Sequence, residues 1–223
     1  NRPWHEGISR YQWLVLTIAS LGWVFDIYEG QIFVATMRDS MPDLLDAFPD
    51  DDSVKRWNDR AFGFFLLGGA LGGVVFGMLS DRIGRAKTMV YTILFYSVFT
   101  ALSAFSQEAW QLAALRFLVA MGVGGEWAVA SAMVAEVMPS RSRPVTSSIF
   151  HASSVFGTLL AIGAMWLLVN YVPLGEWDVD AWRAAFVLGI LPALLTLWIR
   201  WKLKEPDNWK AAKERAESDA AQA

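Results

Sequence analysis

The sequence contains no cysteine and only two histidines, His5 and His151, in 223 residues. The absence of cysteine excludes disulfide bonds, thiolate metal ligands and cysteine nucleophiles. Two histidines are also too few for a histidine-rich metal site, so we predict no metal and no cofactor. Charged residues are scarce, at 18%, whereas soluble domains carry about 25%. This deficit favours a membrane protein.

The hydrophobic residues make up 55% of the chain and form long runs between short charged blocks. A run of about 20 residues crosses a hydrocarbon core of about 30 Å as a helix, and backbone that faces lipid must satisfy its polar groups internally. The runs are continuous rather than alternating, which excludes a β-barrel. Six spans are predicted: Tyr11–Met37, Ala61–Leu79, Thr88–Ser106, Ala109–Met138, Val145–Val172 and Ala184–Trp201.

Basic residues are distributed unequally between the two sides of this predicted bundle. Thirteen of the 19 Lys and Arg fall on the side of the two termini, and an excess of Lys and Arg marks the cytoplasmic side. We therefore predict a multi-pass protein of the cell membrane with both termini in the cytoplasm. Residues 1–201 would form the six-helix bundle and 202–223 the start of a cytoplasmic linker. The segment Arg38–Arg60 is expected to be the only long external one.

Four segments resemble signatures of the major facilitator superfamily. Between spans two and three the chain reads Gly77-Met-Leu-Ser-Asp81-Arg82-Ile-Gly84-Arg85, similar to the Gly-x-x-x-Asp-Arg-x-Gly-Arg loop signature. Arg116 followed by Gly122 and Gly124 resembles the fourth-helix motif. Glu136-Val-Met-Pro139-Ser-Arg-Ser-Arg143 resembles the exit from helix four, and Lys204–Trp209 is a loose version of the signature after helix six.

This resemblance covers nearly the whole chain but only half of a transporter, because the superfamily has twelve helices. Since the chain begins at Asn1 without an initiator Met, we expect a piece of a longer protein. It would be the N-terminal half, an all-α membrane bundle of two inverted three-helix repeats, with the C-terminal six-helix half missing. The segments Trp23–Glu29 and Gly124–Trp127 look most like proton symporters of organic acids, including the sialate/lactate, aromatic-acid and metabolite groups.

The resemblance also implies a cytoplasmic gate built from charges at the ends of helices two and four. Asp81 is expected to accept hydrogen bonds from Arg143 or to cap a helix N-terminus. The alternative is that the basic residues of this loop only set the topology. The predicted gate residues are Gly77, Asp81, Arg82, Gly84, Arg85, Glu136 and Arg143.

Asp26 and Glu29 are the most informative residues inside a span. They lie three residues apart and share one helix face, and an ionised acid in hydrocarbon needs a bundle interior, a cavity or a partner. With a rise of about 1.5 Å per residue, the two acids lie roughly 12–16 Å below the outer end of span one. Arg116 lies roughly 10 Å below the outer end of span four, so it can pair with an acid there.

Proton coupling follows from this pairing, because protonation of the acid would free Arg116 to bind an anion. Asp26 is the first choice as proton carrier, since its position matches the acid of the family's first helix. The alternative is a permanent buried ion pair that fixes helix packing. The family's first helix more often reads Asp-x-x-Asp, and Glu29 replaces the second acid here.

Other polar residues inside the spans have several interpretations. Glu126 lies about 15 Å deeper along span four than Arg116 and could contact substrate, relay a proton or pair with another helix. Tyr28 and Gln31 are predicted to line the cavity, with ordinary packing as the alternative. His151 is interpreted first as a packing residue and second as a group that titrates near neutral pH. Small residues at fourfold spacing predict close helix packing: Gly68 and Gly72; Gly69, Gly73 and Gly77; Ser153, Gly157 and Ala161.

We predict a secondary active transporter that carries a small organic acid with protons by alternating access. Its partners would be the substrate, protons, the lipid bilayer and the second half, and no nucleic acid. An enzyme is not expected, because the sequence has no Cys, no His pair and no spaced Ser/His/Asp set. The alternatives are a carrier of a neutral sugar, similar to the sugar porters, and a receptor or structural half that transports nothing.

Overall fold

The computed structural model describes residues 3–174, 179–191, 198, 202–206, 210–211, 214–215 and 218. The regular structure in these residues is entirely helical. In chain order the helices are α1 (Arg10–Leu45), α2 (Asp52–Ile83), α3 (Arg85–Ser103), α4 (Ala109–Val137), α5 (Arg143–Ala152), α6 (Ser154–Tyr171) and α7 (Ala181–Leu188). Helices α5 and α6 are separated only at Ser153 and correspond to the fifth predicted span.

The ends of α1 show how far a helix extends beyond its apolar part. A capping box starts the helix: Gln12 N donates to Ser9 Oγ (3.2 Å), and Ser9 N donates to Gln12 Oε1 (2.8 Å). The helix then runs to Leu45 and ends at Asp46, which has a left-handed backbone with φ of 48°. Because α2 already begins at Asp52, the predicted external segment Arg38–Arg60 is mostly helical. Hydropathy marks where a helix leaves the apolar layer, not where its hydrogen bonds end.

Helix α4 packs against α1, α2, α3 and α5. Its closest neighbour is α2, where glycines bring backbone against backbone. A Cβ atom at Gly68, Gly72 or Gly124 would overlap the main chain of the facing helix. Close approach through small residues is a common way for membrane helices to associate. The predicted packing role of Gly68 and Gly72 is therefore confirmed, whereas a Cβ at Gly77 would meet only open space.

Three helical stretches within the described residues are long and apolar enough to cross a membrane. They are α2, α4 and the combined rod Arg143–Tyr171. Helix α1 carries two buried acids, and α3 buries several hydroxyl side chains, so both are less apolar than the six-span prediction assumes. Half of the sixth predicted span, Ala184–Trp201, lies outside the described residues, at 192–197 and 199–201.

Two apolar clusters fill the bundle along its length. One contains Val15, Ile18 and Met133, and the other contains Ile32 and Leu112. The first turns of α1 define one cluster, and its later turns define the other. The acids of α1 lie where the first cluster gives way to the second, so the fold places buried charge near the middle of the bundle.

Candidate functional site

Four charged side chains are buried where α1 faces α4. Asp26 and Glu29 come from α1, and Arg116 and Glu126 come from α4; each is at most 1% exposed. Lipid does not tolerate such groups unless they are paired or face a polar chamber. The structure turns all four into the bundle interior, which is the placement that their cost in hydrocarbon demands.

Glu29 and Arg116 form a fully buried ion pair. Arg116 Nη1 donates to Glu29 Oε1 at 2.5 Å, and Nη2 donates to Ser103 Oγ at 2.5 Å. The guanidinium also lies over aromatic rings, 4.5 Å from the ring centroid of Phe186 and 5.5 Å from that of Phe33. A cation over ring faces is stabilised further when it is shielded from water. The structure thus brings together the arginine and one acid whose depths match in the sequence.

Asp26 and Glu126 form a second acidic group, and no basic side chain of the described residues pairs with either carboxyl group. Glu126 Oε2 accepts from Thr92 Oγ1 at 2.6 Å, and a Cβ atom at Gly22 would lie 2.8 Å from Glu126 Oε1. Gly22 is one turn before Asp26 on α1, so the two carboxyl groups are electrostatic neighbours. The hydroxyl of Tyr96 lies beside the Asp26 carboxyl group, which makes no other side-chain contact of hydrogen-bond geometry among the described residues. The site therefore contains buried acid in excess of buried base.

Helix α3 supplies the polar side chains that contact the acids and Arg116, and sequence reasoning missed them. Thr92 binds Glu126, Ser103 binds Arg116, and Tyr96 neighbours Asp26. A signal was available, because hydroxyl residues recur along one face of this helix at helical spacing. The buried members of that face are Thr88, Thr92, Tyr96, Thr100 and Ser103.

The two residues predicted to line the cavity are placed differently. Tyr28 is 1% exposed and packs within the apolar cluster that contains Ile32 and Leu112. Its hydroxyl has no hydrogen-bond partner among the described residues. Gln31, three residues later on α1, is exposed. Tyr28 therefore lies in the core, and Gln31 lies on the exposed surface of α1.

Two of the predicted gate residues, Asp81 and Glu136, are joined by a third, Arg85. Arg85 pairs with Asp81 (Nη1 to Oδ1, 2.8 Å) and with Glu136 (Nη2 to Oε1, 2.9 Å). It thereby joins the end of α2 to the end of α4. Arg143 instead donates through Nε to the carbonyl oxygen of Met138 at 3.1 Å. Asp81, Arg85 and Glu136 thus form a charge network in which Asp81 pairs with Arg85, whereas the sequence predicts Arg143 as its partner.

The segment after the last described helix docks on the start of α3. Glu205 accepts from the backbone N–H groups of Ala86 (3.1 Å) and Lys87 (3.2 Å). Gly84 makes this contact possible, because its φ of +110° suits glycine and a Cβ atom there would overlap the Glu205 carboxylate. Arg82, another predicted gate residue, is exposed. Gly84 is thus a docking position for the linker.

Helices long and apolar enough to cross a membrane, with buried and partly paired charges between them, are typical of polytopic membrane proteins. The model of the "Sugar (and other) transporter" family matches residues 18–223. The chain belongs to this family, within the major facilitator superfamily, and the resemblance stated from its motifs is confirmed.

Relatives and solved structures agree with this assignment. The chain is 32% identical over 212 residues to the "Probable 4-methylmuconolactone transporter" of Cupriavidus pinatubonensis, covering 95% of this chain and 47% of that protein. It is 30% identical over 206 residues to the "Sialic acid transporter NanX" of Escherichia coli, covering 92% and 47%. The partially occluded inward open xylose transporter XylE from E. coli superposes with a TM-score of 0.81 at 19% identity, covering 93% and 53%. The chain thus spans about half the length of the curated relatives it matches.

Proposed function

We propose that this chain is one half of a secondary active transporter that moves a small organic acid together with protons by alternating access. The observation that carries the proposal is the arrangement of two buried acidic sites between α1 and α4. Glu29 is neutralised by Arg116, whereas Asp26 and Glu126 have no cation beside them among the described residues. One site is suited to an anion and the other to a proton.

The proton site is Asp26 with Glu126. Burial disfavours the ionised form of a carboxyl group, and a second carboxyl group nearby disfavours it further. A single proton shared by the pair removes the repulsion between two carboxylates and halves the buried charge. Asp26 is proposed as the carrier, because its position matches the acid of the family's first helix. Glu126, held by Thr92, would act as its proton-sharing partner.

Arg116 is the proposed anchor for the substrate's carboxylate. A guanidinium and a carboxylate form strong charge-assisted hydrogen bonds, and Glu29 occupies that position in this structure. A proton passed from Asp26 to its neighbour Glu29 would release Arg116 to exchange one carboxylate for another. The competing role, a permanent ion pair that only fixes the packing of α1 on α4, predicts no dependence of transport on this exchange.

An organic acid is favoured as the substrate by the relatives. The sialic acid transporter is one of them, and a further relative of 28% identity is the "Gallate transporter" of Pseudomonas putida. A neutral sugar is the second candidate, because the fold is shared with a xylose transporter. The buried arginine favours the acid, since a neutral sugar has no charge to exchange with Glu29.

The proposed carrier needs a second six-helix half as the other wall of its cavity. We call this chain joined to that half the complete transporter. In the proposed orientation both ends of this chain lie in the cytoplasm, so the Asp81–Arg85–Glu136 network would lie on the cytoplasmic side. There it would hold α2 and α4 together in one state of the cycle and act as a gate.

The test is uptake by the complete transporter in proteoliposomes, at two external pH values and with a panel of labelled acids and sugars. We expect inward proton gradients to drive uptake of an acid, Asp26→Asn to abolish the gradient dependence, and Arg116→Ala to abolish uptake. Asp39→Asn is the matched control, because Asp39 is an exposed acid on the same helix. Proton-driven uptake that survives both site substitutions would refute the assignment.

A further inference from the structure

A row of hydroxyl groups on α3 runs past the buried charges, and the exchange of carboxylates at Arg116 does not use it. Its members follow one another after four, four and three residues, and side chains at this spacing lie on one face of a helix. All of them are fully buried. We call these residues the hydroxyl row: Thr92, Tyr96, Thr100 and Ser103.

The hydroxyl row begins at the proton site. Thr92 Oγ1 donates to Glu126 Oε2 at 2.6 Å. One turn later, Tyr96 packs against the turn of α4 that precedes Glu126, where a Cβ atom at Gly122 would lie 2.7 Å from the Cβ of Tyr96. The hydroxyl of Tyr96 lies beside the Asp26 carboxyl group of α1. Tyr96 therefore connects the row to the proposed proton carrier.

The hydroxyl row ends at the ion pair. A Cβ atom at Gly189, at the end of α7, would overlap Thr100 Cγ2 and lie 3.0 Å from Glu29 Oε2. The side chains of Thr100 and Glu29 thus meet at one point, and the Thr100 hydroxyl is placed to bind the Glu29 carboxylate. Ser103 Oγ accepts from Arg116 Nη2. The row therefore contacts both members of the ion pair.

The acids of α1 match the hydroxyl row in spacing. Asp26 and Glu29 are separated by roughly 4.5 Å of helical rise, and Tyr96 and Thr100 by roughly 6 Å. Each of these acids accordingly has a hydroxyl group of α3 beside it. The buried charged side chains among the described residues all come from α1 and α4 and lie along this row: Asp26, Glu29, Arg116 and Glu126.

A proton needs an intermediate group to pass between the two acids of α1. No hydrogen bond joins Asp26 to Glu29 in the structure, and direct transfer requires heavy atoms within about 3 Å of each other. Arg116 cannot serve, because a guanidinium only donates hydrogen bonds. A hydroxyl group both donates and accepts, so it can take a proton on one side and give its own away on the other.

We propose that Tyr96 and Thr100 relay the proton from Asp26 to Glu29. The Asp26 carboxyl group gives its proton to the Tyr96 oxygen, Tyr96 gives its own proton to Thr100, and Thr100 gives its own to Glu29. At each hydroxyl oxygen one O–H bond forms and one breaks, so both hydroxyl groups are neutral before and after. The negative charge moves from Glu29 to Asp26, and rotation of the two hydroxyl groups restores the row.

This relay supplies the step that frees the arginine. Once Glu29 holds the proton, Arg116 has lost its ionised partner and can bind the carboxylate of the substrate. The inference rests on the proposed function and adds to it the path of the proton between the two acidic sites. It makes Tyr96 and Thr100 relay groups rather than packing residues.

The experiment compares net uptake with exchange by the complete transporter in proteoliposomes, with a panel of labelled acids that includes gallate and sialic acid. Net uptake driven by a proton gradient uses the relay in every cycle. Exchange of external labelled acid for internal unlabelled acid at equal pH does not use it, because the proton stays on Glu29 while one acid replaces another.

Tyr96→Phe removes only the hydroxyl group of the first relay residue. We expect it to lower net uptake at least about tenfold, because a positioned proton-transfer group contributes about 10²-fold or more, and to leave exchange unchanged. Thr100→Val keeps the shape of the second relay residue without its hydroxyl group and should act in the same way. Net uptake by either variant should also slow more in D₂O than uptake by the parent does, because proton transfer becomes the slowest step.

Two matched controls lie on the same helix. Tyr91→Phe removes the hydroxyl group of an exposed tyrosine. Thr88→Val removes a buried hydroxyl group that donates to the carbonyl oxygen of Gly84 at 2.7 Å rather than to an acid. Both controls should keep net uptake and exchange at the level of the parent.

Two outcomes overturn the inference. Net uptake by Tyr96→Phe and Thr100→Val at the level of the controls would exclude the relay, and equal losses of uptake and exchange would indicate a purely structural role. Thr100→Val decides the question if Tyr96→Phe does not fold. The proposed function fails separately: a parent that exchanges acids without proton-driven uptake would reject symport and the relay with it, whereas proton-driven uptake that survives both substitutions would reject the relay alone.

Discussion

Replacing Arg116 by Met tests whether the buried ion pair is a strong interaction in the folded bundle. Arg116 and Glu29 are both fully buried, and Met keeps much of the volume of the arginine side chain without its charge. The variant leaves Glu29 buried with no cation beside it, which costs about 3–5 kcal/mol. The double variant Arg116→Met with Glu29→Leu removes both charges and should recover most of that loss, since apolar replacement of a buried pair is often neutral.

Thermal unfolding followed by intrinsic tryptophan fluorescence measures the effect. For a chain of this size, 1 kcal/mol corresponds to about 2–4 °C in the unfolding midpoint, so Arg116→Met should lower the midpoint by roughly 6–20 °C. The four proteins of the double-mutant cycle should give a coupling energy of at least about 2 kcal/mol. Additive effects of the two substitutions would contradict the pairing and remove the basis for carboxylate exchange at Arg116.

Two further predictions concern packing and linker docking. Gly72→Ala should destabilise the bundle by about 1–3 kcal/mol, because its Cβ would overlap the backbone of α4. Gly63→Ala on the same helix is the control and should not destabilise, because its Cβ meets nothing within 4 Å. Equal unfolding midpoints of the two variants would disprove the tight contact at Gly72. Glu205→Gln should lower the free energy of unfolding by about 0.5–2 kcal/mol, because it weakens the hydrogen bonds to the start of α3. Glu214→Gln, at an exposed site in the same tail, is the control and should leave that free energy unchanged. We expect the Ala86 amide to lose hydrogen-exchange protection in the Glu205 variant only, and equal protection in both variants would exclude the docking.

The sequence was informative about depth along a helix and less informative about rotation around it. Helical rise alone places Glu29 and Arg116 at similar depths, and the structure brings them within 2.5 Å. The same counting could not choose between Asp26 and Glu29 as the partner of Arg116. These acids lie three residues apart and share a face, so the choice depends on how α1 packs on α4.

The contribution of α3 shows what a hydropathy reading overlooks. Thr92 and Ser103 lie in a span that is apolar on average, so its mean hydropathy does not distinguish them. Their hydroxyl groups contact Glu126 and Arg116 in the structure. Periodicity within the span carried the signal, because the buried hydroxyl residues recur every three or four positions.

The pairing partners within the gate could not be predicted from motif spacing. Asp81 and Arg85 belong to one signature and Arg143 to another, and either arginine could bind the acid. The chain breaks at Gly84, and Arg85, the first residue of α3, reaches back to Asp81 in the last turn of α2. Arg143, the first residue of α5, instead binds the carbonyl oxygen of Met138 at the end of α4.

The glycine contact between α2 and α4 has a consequence for how this half can deform. Gly124 brings its α-carbon against the carbonyl oxygen of Gly69, so the contact is made by main-chain atoms that have no rotamers. This contact cannot adjust by repacking side chains. It is stabilised by dispersion and weak Cα–H···O contacts rather than by release of water. We therefore expect α2 and α4 to move as one rigid body. Bending of this half would then occur elsewhere, for instance at Ser153 between α5 and α6.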